Sequence, residues 1–267
     1  MGKKQRVVLA SLLVVVLGGF AWLALRQHDQ EPVYEGKPLS FWIERYDPYK
    51  HSEATTKADE AVRKLGTNSI PVLLQMMRAH DSPLKLKLIG LAQWQHVLEI
   101  PLVPASTRNL RARLGFHILR FNAKSAVPQL IEIYELNPDP QLRLGIVQVF
   151  YGIGTGAAQA IPLLLSGATN AEANLRLNAV GALGQMFIEP EVIVPALIES
   201  LKDPHPYVRA NAIQGLGNFG AQAKSAVPAL LESLDHPQMS DPATTRGMIE
   251  NALKKIDPGA AAKAGVK

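Results

Sequence analysis

The chain has 267 residues, 47% hydrophobic and 19% charged, with a mean hydropathy of +0.04, which excludes a disordered tail and a collagen-like fibre. Cysteine is absent, so disulfide scaffolds, thiolate zinc sites, iron–sulfur clusters, thiol nucleophiles and lipidated cysteine are excluded as well. The net charge of +5 gathers at the start: residues 1–30 hold Lys3, Lys4, Arg6 and Arg26 against Asp29, leaving 24 basic and 22 acidic groups in the other 237 residues, so the overall charge says little about a phosphate-binding surface.

After a basic stub at 1–6, residues 7–25 read VVLASLLVVVLGGFAWLAL without a charge. As a helix this run spans roughly 28 Å, the hydrocarbon thickness of a bilayer. It is longer than the apolar region of a cleaved signal peptide, so it reads as an uncleaved transmembrane signal anchor. The basic residues before it place the N-terminus in the cytosol and everything after residue 26 outside. Residues 26–50 read as a juxtamembrane linker and a short helix, with Ser40 as the N-cap of Phe41-Trp42-Ile43. Residues 51–125 are irregular: an apolar helix at 84–98, a loop with Pro101 and Pro104, and a basic helix near 107–121 holding Arg108, Arg111, Arg113 and Arg120.

From 126 to 256 the chain repeats. AKSAVP occurs at 123–128 and again at 223–228, and the prolines Pro128, Pro162, Pro195 and Pro228 step by 34, 33 and 33. Arg143, Arg176 and Arg209 step by 33, and Asn137, Asn170 and Asp203 stand six residues before them. Each proline opens a short apolar helix, where its missing N–H is tolerated. A polar turn follows, then a longer helix containing the arginine. No sustained period-two alternation appears, so strands are not expected. Paired helices at this period imply an all-α solenoid whose units bury themselves only against neighbours. Residues 258–267 read as a flexible tail.

Residues 203–234 and 175–186 resemble HEAT repeats of the short bacterial type, through the turn residue Asp203, the Val208-Arg209 pair, Ala212 and Leu216-Gly217. The likeness covers most of 51–257. With Tyr34-Glu35-Gly36-Lys37-Pro38-Leu39-Ser40 and the apolar N-terminus, the plan also resembles bacterial membrane-anchored HEAT-repeat proteins. The resemblance implies a right-handed α-solenoid whose second helices line the concave surface.

Counted from each arginine, positions −2, +2, +5 and +9 form one stripe of the second helix. It reads Gln141/Gly145/Gln148/Gly152, Asn174/Asn178/Gly181/Gln185 and Tyr207/Asn211/Gln214/Asn218, with no charge at twelve positions. Gln148, Asn174, Gln185, Tyr207, Asn211, Gln214 and Asn218 are the candidate partner contacts. Asn178 and Asn211 also suit a structural ladder, since buried amides are normally satisfied within the protein. Such a stripe suits peptide backbone, or glycan, better than phosphate, so the expected partner is a protein or peptide and not nucleic acid. The arginines lie on the apolar side of their helices, which points to buried stems bonded to turn groups.

The seven histidines form no HExxH, HxH or His-Glu pair, and no GxSxG or phosphate-binding glycine loop occurs in a strand–turn–helix context. The expectation is therefore a non-catalytic scaffold without cofactor or metal, anchored in the cytoplasmic membrane with its repeats outside. An enzyme or small-ligand carrier on a HEAT scaffold, as in bilin lyases, is the alternative.

Overall fold

The computed structural model describes residues 31–94, 103–235 and 242–266; the expected anchor at 7–25 lies outside them. The chain divides into two compact units, Met1–Val72 and Leu73–Lys267.

The first unit opens on a feature that the sequence reading missed. Val33–Tyr34 (β1) and Lys37–Pro38 (β2) pair antiparallel around Glu35 and Gly36, whose φ values of +47° and +71° make a tight hairpin turn. Two-residue strands are too short to leave an alternating pattern. Leu39–Ile43 (α1) follows directly. Ser40 sits inside α1 rather than capping it, and its N–H donates to Glu31 Oε2 at 2.8 Å. Trp42 is buried and its Nε1 donates to the Tyr34 carbonyl. Glu53–Leu65 (α2) is capped by Ser52 Oγ and buries Ala58, Ala61 and Val62.

Ile70–Met77 (α3) crosses into the second unit. There, the helices in order are Pro83–Trp94 (α4), Ala105–Leu119 (α5), Val127–Leu136 (α6), Pro140–Ile153 (α7), Ile161–Ala168 (α8), Ala173–Leu183 (α9), Pro190–Ser200 (α10), Pro206–Phe219 (α11), Val227–Asp235 (α12), Pro242–Ile256 (α13) and Pro258–Lys263 (α14). The last of these is a helix where composition suggests a tail: Asp257 Oδ1 caps it by accepting from the Ala260 N–H, and Ala261 is buried.

The second helices stack in sequence, α5 on α7, α7 on α9, α9 on α11 and α11 on α13, while α6, α8, α10 and α12 pair with them. Positions +3, +4 and +7 from each arginine supply the core. Ile146, Val147, Phe150, Ala179, Val180, Leu183, Ala212, Ile213 and Leu216 are all at most 2% exposed. Burying a Val, Leu, Ile or Phe side chain is worth about 1.5–3 kcal/mol relative to leaving it exposed, so repeating the same burial in every unit is what the fold lives on. Pro140–Ala168 is long and apolar enough to cross a membrane by length and composition. It is nevertheless two helices, broken at Gly154 (φ +62°), and Phe150, Ile161 and Leu164 are core residues.

One backbone device recurs after α5, α7, α9 and α11. Gly154 and Gly220 take φ near +60° and ψ near −130°, followed by a 3₁₀ turn to the next first helix. Arg120 and Phe187 hold positive φ at the same places, so the series 120, 154, 187, 220 steps by 34, 33 and 33, in phase with the prolines.

Candidate functional site

Each series arginine bonds the turn carbonyls of its own unit. Arg143 Nε donates to the carbonyls of Tyr134 (3.2 Å) and Asn137 (2.7 Å), Arg176 Nη1 to those of Asn170 and Ala171, and Arg209 Nη1 to those of Asp203 and Pro204. Each guanidinium thus holds the turn between the two helices of its own unit. The turn residue supports it: Asn137, Asn170 and Asp203 each accept, through Oδ1, the N–H two residues on, at 2.8–2.9 Å. The prolines stand at the helix starts: Pro128 and Pro162 within the first turn of α6 and α8, Pro228 at the second position of α12 and Pro195 inside α10, which begins five residues earlier at Pro190.

Between units the pattern diverges. Arg176 Nε and Nη2 donate to the Asp203 carboxylate at 2.7 and 3.0 Å, with side chains only 13% and 8% exposed. Burial by itself raises the Asp203 carboxyl; the Arg176 bonds and the His205 N–H outweigh it and hold the group below its usual range. Asn170 occupies the matching place opposite Arg143 and offers no charge.

The amide stripe is divided between structure and surface. Asn211 Nδ2 donates to the Leu177 carbonyl (2.9 Å) and Asn218 Nδ2 to the Gly184 carbonyl (3.1 Å), tying α11 to α9. Asn178 bonds within its own helix, to the Asn174 carbonyl. Gln148 is exposed, yet its Oε1 accepts from Arg113 Nη1 at 2.8 Å; the Arg113 chain lies over Gly145, and burial lowers its pKa. Gln185 is half-buried, while Asn174, Tyr207 and Gln214 stand exposed on adjacent helices. Tyr151, 44% exposed, rests its ring edge against Gly181 beside the Asn211 amide.

Two groups escaped the sequence reading. Asn109 Nδ2 donates to the carbonyls of Met76 and Met77 at 2.8 and 3.0 Å, doing for the turn after α3 what Arg143 does for the turn after α6. It stands 34 residues before Arg143, so extending the period would have found it. Asp81 fastens the irregular region: it pairs with Lys85, accepts the Ala105 N–H at 2.7 Å and lies 3.8 Å from Arg108. Among the described residues no group of three His, Asp or Glu side chains is placed to hold a metal.

The family model for HEAT repeats matches residues 161–254. That stretch holds α8 to α12 and most of α13. No curated protein matches the chain. Among solved structures, two engineered proteins are similar at 13% identity: one covers 85% of this chain and 97% of its own with a TM-score of 0.43, the other 86% and 62% with 0.46. The complex of CpcE and CpcF of phycocyanin lyase from Nostoc sp. PCC7120 is similar at 18% identity, over 83% of this chain and 98% of that one, with a TM-score of 0.32.

Proposed function

We propose that this chain is a non-catalytic scaffold, tethered through residues 7–25 to the cytoplasmic membrane with its repeats outside, which holds a protein or peptide along its second helices. The observation that supports this most is the division of the stripe. Asn211 and Asn218 are bonded inward, whereas Asn174, Tyr207 and Gln214 project from neighbouring helices with no charge among them. Neutral donors and acceptors beside a tyrosine ring match a peptide backbone, whose N–H and C=O groups need partners once water is displaced.

A photoreactive phenylalanine analogue placed at Tyr207 or Gln214 in the full chain tests this. One defined protein adduct is expected from both positions, and none from Glu199 or Glu232, which are exposed on first helices. No adduct at 207 and 214, or equal labelling at all four positions, sinks the reading. The tether is tested separately: a reporter active only outside the membrane, fused after residue 30, is expected to be active.

A further inference from the structure

The series arginines share one task, and Arg143 has two donor groups left over. Arg176 faces its turn with Nη1 and commits Nε and Nη2 to the Asp203 carboxylate of the next unit. Arg143 is turned the other way. Its Nε alone holds the turn carbonyls, its guanidinium sits 5.2 Å from the Tyr134 ring centre, and Nη1 and Nη2 have no hydrogen bond or ion pair among the described residues. Twenty-seven residues beyond Arg176 is Asp203; twenty-seven beyond Arg143 is Asn170, whose Oδ1 is occupied by the Glu172 N–H. A cavity adjoins the arginine at both seams. At the later one Asp203 meets the guanidinium, whereas at the earlier one no carboxylate among the described residues is bonded to Arg143, and its cavity of about 150 Å³ is bordered by Tyr134, Gln141, Arg143, Asn170, Glu172 and Asn174.

We infer that this cavity is a carboxylate-binding site, with Arg143 Nη1 and Nη2 donating end-on to the two oxygens, the counterpart of the contact that Arg176 makes to Asp203 through Nε and Nη2. The next repeat of the same chain shows the bonded form. A two-pronged guanidinium–carboxylate contact is among the strongest polar contacts available, and the cavity has room for a carboxylate and its adjoining methylene but not for a cofactor. The apolar side of the ligand meets the Tyr134 ring. Gln141 and Asn174 belong to the neutral stripe, so, resting on the function proposed above, the carboxylate comes from an Asp or Glu of the bound peptide; a free small carboxylate is the other source.

The test is a ligand-detected NMR titration of the purified full chain with three probes: acetate, acetyl-Gly-Glu-Gly-amide and acetyl-Gly-Gln-Gly-amide. Acetate and the Glu peptide are expected to bind, and the Gln peptide at least about tenfold more weakly, since only the charged oxygens gain from the guanidinium. Arg143→Gln should weaken acetate and the Glu peptide by a similar factor. Asn170→Asp, which copies the Asp203 arrangement, should abolish binding while raising Tm, so a folding defect cannot mimic the result. A Glu peptide binding more tightly than acetate identifies the peptide source; equal affinities identify the free carboxylate; either supports the site. Binding of neither probe overturns it, as does binding unchanged in Arg143→Gln or Asn170→Asp. Binding that appears only in Glu172→Gln overturns it too, because Glu172 would then be the occupant. Loss of cross-linking at 207 and 214 with acetate binding intact removes the stripe reading alone.

Discussion

Replacing Asp203 by asparagine separates the two jobs of that side chain. Asn137 and Asn170 already make the same turn bond to the N–H two residues on, so the turn survives and only the ion pair with Arg176 is lost. The pair is largely buried, and a charged hydrogen-bonded contact of this kind is worth roughly 1–3 kcal/mol; Asp203→Asn should destabilise by that order near neutral pH. The sign with pH follows from the lowered carboxyl of Asp203. Its contribution is full above the unfolded value of about 3.9 and fades as the pH falls through the lower folded value. Denaturant melts of both proteins from pH 7 to pH 3 should therefore converge at the acid end; a constant gap would reject the ion pair as the cause. A second prediction concerns Arg120, which holds φ +49° and ψ −130° where Gly154 and Gly220 stand in later units. Such backbone costs a side-chain-bearing residue about 1–3 kcal/mol, part of which glycine gives back through its freer unfolded chain. Arg120→Gly should stabilise by about 1 kcal/mol in the same melts. The arginine register was legible because a 33-residue step leaves a mark in any alignment of the chain with itself. The left-handed corner was not, because two of its four holders are an arginine and a phenylalanine.

Where helices touch, glycine decides how closely they approach. A Cβ on Gly184 would lie 2.7 Å from the Gly215 Cα, and one on Gly215 would lie 2.9 Å from the Gly184 Cα, so α9 and α11 meet backbone to backbone. Gly184→Ala must push the two helices apart, at about 1–3 kcal/mol, and should also lengthen the Asn218 bond to the Gly184 carbonyl. Gly152, in α7, would place a Cβ in open space; Gly152→Ala should instead stabilise by about 0.5–1 kcal/mol from helix preference. The two alanines thus have opposite expected signs, measured by Tm, although both glycines read alike in sequence as small residues near helix ends. The same limit applied to α4. Residues 51–125 stood out as irregular, and the α4 helix was legible from its apolar run. That Asp81 fastens the region by reaching both Lys85 and the start of α5 depends on contacts across a loop, which no local pattern encodes.

A stack in which each unit touches only its neighbours has no central core to fail all at once. Its stability is close to a sum of unit and interface contributions. Helix order and pairing were readable because every unit must bury the same positions, as Phe150, Leu183 and Leu216 do. The close of the stack was not, because a short Ala-rich helix owes its place to a cap and a surface to lie on. Asp257 supplies the cap, α13 supplies the surface, and Val266 is 9% exposed at the far end. Removing residues 258–267 should then act locally. It uncovers α13, whose Ile256 and Leu253 are at most 3% exposed in the intact chain, and leaves the α5–α7 and α7–α9 interfaces untouched. Hydrogen exchange followed by mass spectrometry should show protection lost in α11, α12 and α13 and retained in α5, α6 and α7, with melting broadening into two steps as the last unit opens first. Uniform loss along the stack would mean that the units fold as one cooperative body, and the additive picture of this chain would have to be abandoned.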